Sequence, residues 1–289
     1  MLSYANLSQI NLINLVKLMN LVKLYPEIKK SIVAFIPKFS LLSGLKQPKL
    51  PPILGTGFFI NELGLIATNN HVTESFESFS QTADNNDYGI CAVLYYKTGN
   101  TIIDIIFDVK NIIKLSNNHH QMYKMPDLAF VEVNVTQNPF LELEPKDLII
   151  QEGYEVATSG FPMGRYALMG PNGLFQISPT LQRGIISAIL PYPQKKPDAF
   201  AVNVMTHGGA SGSPVFSTET GKVRGILFSI LTDTSYSTNN LAYTIPTNIS
   251  YAIPSHHLRT ELEIIEKNHN YSKDKKSFSK FLENKVLKG

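Results

Sequence analysis

The sequence predicts an all-β protein whose antiparallel strands close into barrels or stack as a sandwich. Three observations lead there. From about Ser31 the apolar residues fall in short β-type runs, Gly, Pro and Asn separate those runs, and no long helical periodicity interrupts them before Pro254. A chain of 289 residues, 43% hydrophobic and 17% charged, is large enough for one such body with a substantial core.

Residues 1–29 read as a helical extension. The segment is leucine-rich, repeats NLVKL and carries no acid before Glu27. Asn14, Lys17, Asn20 and Lys23 recur every three positions, so the polar face drifts around a helix of 3.6 residues per turn. The same residues break each apolar run below the length of a secretory core or a bilayer span. The segment is expected to pack on the folded body or on a partner, with membrane-surface contact or organelle targeting as the other readings, which the absence of arginine weakens. It is expected to regulate or localise without joining in chemistry.

The runs predicted as strands are 31–39, 55–61, 64–70, 88–96, 101–113, 128–135, 153–161, 181–190, 199–206, 222–230 and 241–248. In LAFVEVNV, Ala129, Val131 and Val133 share one face while Leu128 and Phe130 share the other, so the strand is apolar on both sides at its start. After Pro254, Ser255 can cap a helix whose Leu258, Leu262 and Ile265 recur at i, i+4 and i+7, ending near Asn268. The lysine-rich stretch that follows is expected to be a solvated or frayed tail. The division is therefore an extension at 1–29, β bodies at 30–140 and 141–254, and a helix with basic tail at 255–289. Too few residues follow the strands for a second peptide-binding domain of ordinary size.

Net charge is +3, carried mostly by lysine, and no arginine precedes Arg165. An arginine cluster of the kind that reads phosphates or bases is missing, which argues against a nucleic-acid partner. Cys91 is the only cysteine and lies in the apolar run ICAVLYY, so no internal disulfide forms and the thiol reads as a small buried hydrophobe. Without a disulfide or a recognisable leader, the expected location is cytoplasmic or otherwise intracellular.

The stretch HGGASGSPV, residues 207–215, surrounds Ser211 with glycine. Glycine lets a backbone bend sharply and aim consecutive N–H groups at one point. If Ser211 attacks a carbonyl, the amides of Gly209 and Ser211 flank a bend that could hold the oxyanion. A serine nucleophile needs a base with a pKa near neutrality, which histidine supplies. His119, His120, His256, His257 and His269 are expected at the solvent-exposed surface, and His207 is too near Ser211 in sequence to arch over it easily. His71 follows a strand, turn and strand, so the framework holds it. The orienting carboxylate is expected at Asp127, at the mouth of the apolar strand that follows it. Asp104, Asp108 and Asp198 are rivals by type, but Asp104 lies mid-strand and Asp198 in a loop. Adjacent histidines without a third ligand at metal spacing give no metal site, and no cofactor is expected.

The pieces GTGFFI…LGLIATNNHVT, PDLAFVEV and GGASGSPVF, with His71, Asp127 and Ser211 in that order, resemble the chymotrypsin-like (trypsin-like) serine peptidases. They look most like the disulfide-free bacterial branch that includes the HtrA proteases and glutamyl endopeptidases, and the similarity runs from about Ser31 to Leu262. The resemblance implies two antiparallel six-stranded β-barrels with a catalytic triad in the cleft between them. It implies His71 as general base, Asp127 orienting it, Ser211 attacking, and Gly209 and Ser211 as oxyanion donors. Met205, Thr206, Leu227, Phe228, Ala242 and Tyr243 would line the main specificity pocket. They are mostly apolar and lack an acid, so a medium apolar residue is expected before the scissile bond of a protein or peptide substrate.

Three positions depart from the family. Ala210 stands where zymogen-activated members carry Asp, so a freed N-terminus has no ion-pair partner there. Gly225-Ile226 is followed by Leu227 and not by the histidine of glutamyl endopeptidases, which argues against carboxylate recognition unless His207 substitutes. The peptide-binding domain common in HtrA proteases is not expected after the strands, which puts the oligomeric and chaperone-like behaviour of those proteases in doubt here. The competing readings are an idle protease fold that grips peptides without cutting, and a triad that hydrolyses esters or transfers acyl groups.

Overall fold

The structure, a computed structural model, describes residues 21–38, 52–76, 89–99, 101–115, 126–164, 178–192, 194–236 and 242–286. Strands β1 (Ile32–Pro37), β2 (Gly55–Phe59), β3 (Leu65–Thr68), β4 (Ile90–Thr98), β5 (Thr101–Lys114) and β6 (Ala129–Val133) close an antiparallel barrel in the order β1-β2-β3-β6-β5-β4. A two-residue strand, β7 (Val135–Thr136), follows. Strands β8 (Glu155–Gly160), β9 (Thr180–Leu190), β10 (Ala199–Val202), β11 (Pro214–Ser217), β12 (Val223–Tyr236) and β13 (Ala242–Pro254) close the second barrel in the order β10-β13-β12-β11-β8-β9. Two closed six-stranded barrels are the architecture that the resemblance implied. The sequence reading missed β11, a four-residue strand that begins with proline inside the glycine-rich stretch.

Side-chain alternation builds the barrels and joins them. Val33 and Phe35 of β1 pack with Phe59, Ile66, Val131 and Val133 in one apolar cluster of the first barrel. Their neighbours Ile32, Ala34 and Ile36 belong to a different cluster, shared with Phe58, Phe130 and with Phe161, Phe216 and Ile253 of the second barrel. A third cluster, with Val156, Phe200, Val202, Val215 and Leu227, lies within the second barrel alone. All six residues of β1 are buried, so both faces are covered and its sequence reads as an unbroken apolar run. Each fully buried phenylalanine contributes roughly 1.5–3 kcal/mol relative to exposure.

Residues 21–28 form a helix, α1, continued by a 3₁₀ turn at Lys29–Ser31. Leu21 and Ile28 are buried in the inter-barrel cluster, with Leu24 and Tyr25 packed against it. The Tyr25 hydroxyl donates to the Pro179 carbonyl at 2.7 Å and lies 3.0 Å from Ser159 Oγ. The described part of the extension thus packs on the body. Residues 1–20 lie outside the described residues. Among the described residues no helix is long and apolar enough to cross a membrane.

The C-terminal helix, here α3 (Ser255–Asn268), follows a short helix described below and buries Leu258, Leu262 and Ile265 as its periodicity requires. The stretch after it is not a frayed tail. Strand β14 (Lys276–Ser277) pairs in parallel with β7, and helix α4 (Phe278–Val286) lays Phe278 and Phe281 on Phe107, with ring centroids 6.4 and 5.0 Å apart. Glu132 explains the docking. Its carboxylate is fully buried on β6 and receives Lys275 Nζ at 2.8 Å, Asn111 Nδ2 at 2.5 Å and the Ser272 N–H at 2.6 Å, with His269 Nε2 at 2.8 Å. His269, expected in solvent, is therefore a partner of this carboxylate.

Burial pushes the Glu132 carboxyl up, but the bonds from Lys275, Asn111, Ser272 and His269 outweigh it and hold it below the ordinary value of 4.5. A carboxyl lowered on folding stabilises the fold above its unfolded pKa and loses that contribution as pH falls through the folded value. Glu132→Ala leaves Lys275 without its counter-ion and is expected to cost about 3 kcal/mol or more at neutral pH. Urea midpoints at neutral pH and below 4.5 check this, the variant's deficit shrinking with acid; an equal midpoint at neutral pH counts against the clasp.

Candidate active site

Strand β3 ends at Thr68, and Asn69, in extended backbone, leads into a five-residue helix, α2 (Asn70–Glu74). His71 stands in this helix and not on the strand end itself. Buried Val72 and Thr73 pin the helix, and the Thr73 N–H donates to the Asn69 carbonyl at 3.3 Å. Asp127 comes just before β6, which pairs with β3 so that Thr68 lies opposite Ala129. Adjacent strand ends therefore set the two side chains together. Asp127 Oδ2 is 2.5 Å from His71 Nδ1, and Oδ1 accepts the His71 backbone N–H at 3.1 Å. Asn69 Nδ2 donates to the Asp127 carbonyl at 2.9 Å, fixing the backbone behind the carboxylate.

Burial raises the Asp127 carboxyl, but the His71 ring, the His71 and Asn70 amides and the imidazole charge outweigh it, so the group is held below the ordinary aspartate value. Its rivals are elsewhere. Asp104 is exposed along β5, Asp108 is 3.1 Å from Lys38 Nζ, and Asp198 is exposed in a loop whose charge acts on His256 and His257.

The turn carrying Ser211 leans on the first barrel. Gly209 and Gly212 adopt φ of +94° and +86°, where side chains are rarely tolerated. A Cβ at Gly212 would lie 1.9 Å from the Thr56 carbonyl oxygen, so only glycine allows that approach. The Thr56 N–H donates to the Ser211 carbonyl at 2.9 Å, and Thr68 Oγ1 donates to the Thr56 carbonyl at 2.8 Å. A chain of two hydrogen bonds thus links Ser211 to the strand that delivers His71.

From Gly209 to Ser213, two of the turn's amides are left over. Ala210 N–H donates to the His207 carbonyl, Gly212 N–H to Leu227 and Ser213 N–H to Ala210, at 3.0, 2.9 and 3.0 Å. Among the described residues, the amides of Gly209 and Ser211 donate to nothing. No hydrogen bond joins Ser211 Oγ to the His71 ring among the described residues, and such bonds commonly tighten only when substrate is bound.

Beside Ser211 lies a recess of about 230 Å³. Of the residues expected to line it, Thr206, Leu227 and Phe228 do. Met205 does not and is 44% exposed, because it points away from its neighbour Thr206. The side chains of Ala242 and Tyr243 lie outside the described residues. His207, which the sequence offered as a substitute for the missing histidine, also lines it, and the sequence reading missed Ser229 and Ile230. Four consecutive residues, Leu227 to Ile230, line the recess because the strand's register shifts at Phe228, which simple alternation does not reveal.

Thr206 is buried, with Oγ1 2.7 Å from Ser250 Oγ, and the Ser250 hydroxyl donates to the Val204 carbonyl at 2.9 Å. A hydroxyl has one proton, so Thr206 must donate to Ser250 and keeps only acceptor capacity for the recess. His256 and His257, expected in solvent, are half-buried with rings 4.2 Å apart. Burial, then the neighbouring His257 and Lys196, bring His256 down to about 4. His119 and His120 lie outside the described residues. Among the described residues no group of three metal-ligating side chains converges.

Residues 55–226 match the trypsin-like peptidase domain, more than half of the sequence, and the chain belongs to this family of serine endopeptidases. Among solved structures it is similar to the HtrA-type protease AlgW with a decapeptide, at 18% identity and a TM-score of 0.51, over 85% of this chain and 67% of that one. Variants of AlgW with a decapeptide and with a tripeptide are similar at 17% identity and TM-scores of 0.52 and 0.51, each over 86% of this chain. The chain spans 68% and 64% of the length of those two. No curated protein matches the sequence.

Gly212→Ala should be more costly than a surface change. Positive φ and the clash with Thr56 both oppose it, so the loss should exceed about 1 kcal/mol, read as a lower urea midpoint.

Proposed function

We propose that this serine peptidase cleaves peptide bonds through Ser211, His71 and Asp127 with a covalent acyl-enzyme. The observation that carries the proposal is the Asp127–His71 pair at 2.5 Å, on strand ends tied by hydrogen bonds to a turn whose two spare amides flank Ser211. Ser211 Oγ attacks the carbonyl carbon of the scissile bond, and its proton passes to His71 Nε2. Asp127, accepting the Nδ1–H, holds the ring and stabilises the imidazolium. The carbonyl oxygen becomes an oxyanion and takes the Gly209 and Ser211 N–H groups, each such donor being worth about 10²–10³ in rate. His71 then gives its proton to the leaving amine, and the C–N bond breaks. Water, deprotonated by His71, releases the acyl group and restores Ser211.

The recess takes the residue before the scissile bond, and a medium apolar side chain suits it. Leu227, Phe228 and Ile230 provide apolar wall, and no acid lines it to pair with Lys or Arg. Thr206 offers an acceptor only, which repels a substrate carboxylate. Ala210 is buried and has no charge to offer a new N-terminus, so activation by an ion pair at this position is not part of the scheme. The substrate is a protein or peptide; the AlgW structures carry peptides, which agrees with that class.

A fluorophosphonate probe should label the wild type and leave Ser211→Ala unlabelled; no Ser211-dependent labelling after prolonged incubation sinks the proposal. Asp127→Asn should lower kcat on the order of 10³–10⁴-fold. Profiling on a peptide library should give cuts after medium apolar residues, and frequent cuts after Glu or Arg would overturn the assignment of the recess.

A further inference from the structure

We infer that Thr56, on the first barrel, is the positioning residue that holds the oxyanion donors of the second, an inference that rests on the triad proposed above. Thr56 is fully buried and held by the pairing of β2 with β1, where it lies opposite Ala34. Its hydroxyl donates to the Gly209 carbonyl at 2.7 Å and accepts the Phe161 N–H at 3.1 Å, while its own N–H donates to the Ser211 carbonyl at 2.9 Å. Its carbonyl accepts from Thr68, three residues before His71. All four hydrogen-bonding functions of one residue are thus spent on the site, and two of them act on peptide groups next to the spare amides.

The geometry of the turn says why a hydroxyl is needed there. Gly209 has no side chain to hold its dihedrals, and at φ +94° its backbone has many neighbouring conformations open to it. The peptide group between Gly209 and Ala210 is clamped at both ends, its carbonyl by Thr56 Oγ1 and its N–H by the His207 carbonyl. If the Thr56 hydroxyl is removed, the Gly209 carbonyl and the Phe161 N–H lose their partners in a buried place, and rotation of that peptide lets the carbonyl find another donor. Rotation there redirects the N–H groups of Gly209 and Ser211 on either side. Thr56 touches no reacting atom. It acts by fixing donors in advance of the reaction, where a misplacement of about 1 Å is costly.

The test uses the full chain as wild type, Thr56→Ser, Thr56→Val and Thr56→Ala. Fluorophosphonate labelling rate, kcat and KM on a peptide substrate, urea midpoint, and hydrogen exchange of peptides spanning 207–213 are measured for each. Thr56→Val, close in shape but without the hydroxyl, should lose about 10²-fold in labelling rate and kcat while KM stays within about threefold. Exchange at 207–213 should rise about tenfold or more in the same variant, and Thr56→Ser should return both readouts to within about fivefold of wild type. If Thr56→Val fails to fold, Thr56→Ala compared with Thr56→Ser carries the same contrast. Thr56→Val or Thr56→Ala matching wild type in labelling and exchange overturns the inference, as does a serine variant as impaired as valine. A wild type that never labels refutes the peptidase reading, and the exchange contrast still decides the role of Thr56.

Discussion

Everything at the site depends on the apolar seam where Ile32, Ala34, Ile36, Phe58 and Phe130 meet Phe161, Phe216 and Ile253. His71 and Asp127 stand on one barrel and Ser211 on the other, so their separation is only as fixed as that contact. Interfaces between bodies of one chain are often loose enough to allow relative motion. Here the strands are apolar on both faces, and Tyr95 and Phe161 bring rings within 5.8 Å across the junction. The seam supplies rigidity, and the hydrogen bonds of Thr56 convert it into alignment.

The polar groups near the cleft follow the same logic of fixed direction. Asn69 holds the carbonyl behind Asp127, Thr68 holds the carbonyl of Thr56, and Ser250 takes the proton of Thr206. In each case a short side chain with one or two donors points a neighbour in a single sense. Such side chains lose little rotational freedom on burial, so the order they impose is cheap in entropy. Thr206 shows the consequence, because its proton is directed to Ser250 and only its acceptor capacity is left toward the recess.

Most of the barrels were legible because strands covered on both faces keep their β-branched and aromatic residues in unbroken runs. Strand β11 was not, since four residues beginning with Pro214 give no period to read, and α2 was not, since five residues make barely more than one helical turn. That His71 and Asp127 come together was legible because each lies close to the end of an apolar strand, and those two strands pair. The recess was only half legible, for lining residues depend on strand register, which composition does not encode. The last stretch was misread for a related reason. Lysines at high density look solvated, and nothing local to Lys275 reveals that Glu132 awaits it inside the first barrel.

That distant pairing bears on the order in which the molecule is made. Glu132 lies in the first barrel, yet its counter-ion is Lys275, and Phe278 and Phe281, which pack on Phe107, also follow α3. During synthesis from the N-terminus, all twelve barrel strands leave the ribosome before the cation that neutralises this carboxylate. The barrel that bears Asp127 and His71 is therefore the first to be translated and the last to be completed. A nascent chain carries the Ser211 turn well before the barrel beneath Asp127 and His71 has its finished support, so the two halves of the proposed site mature at different times.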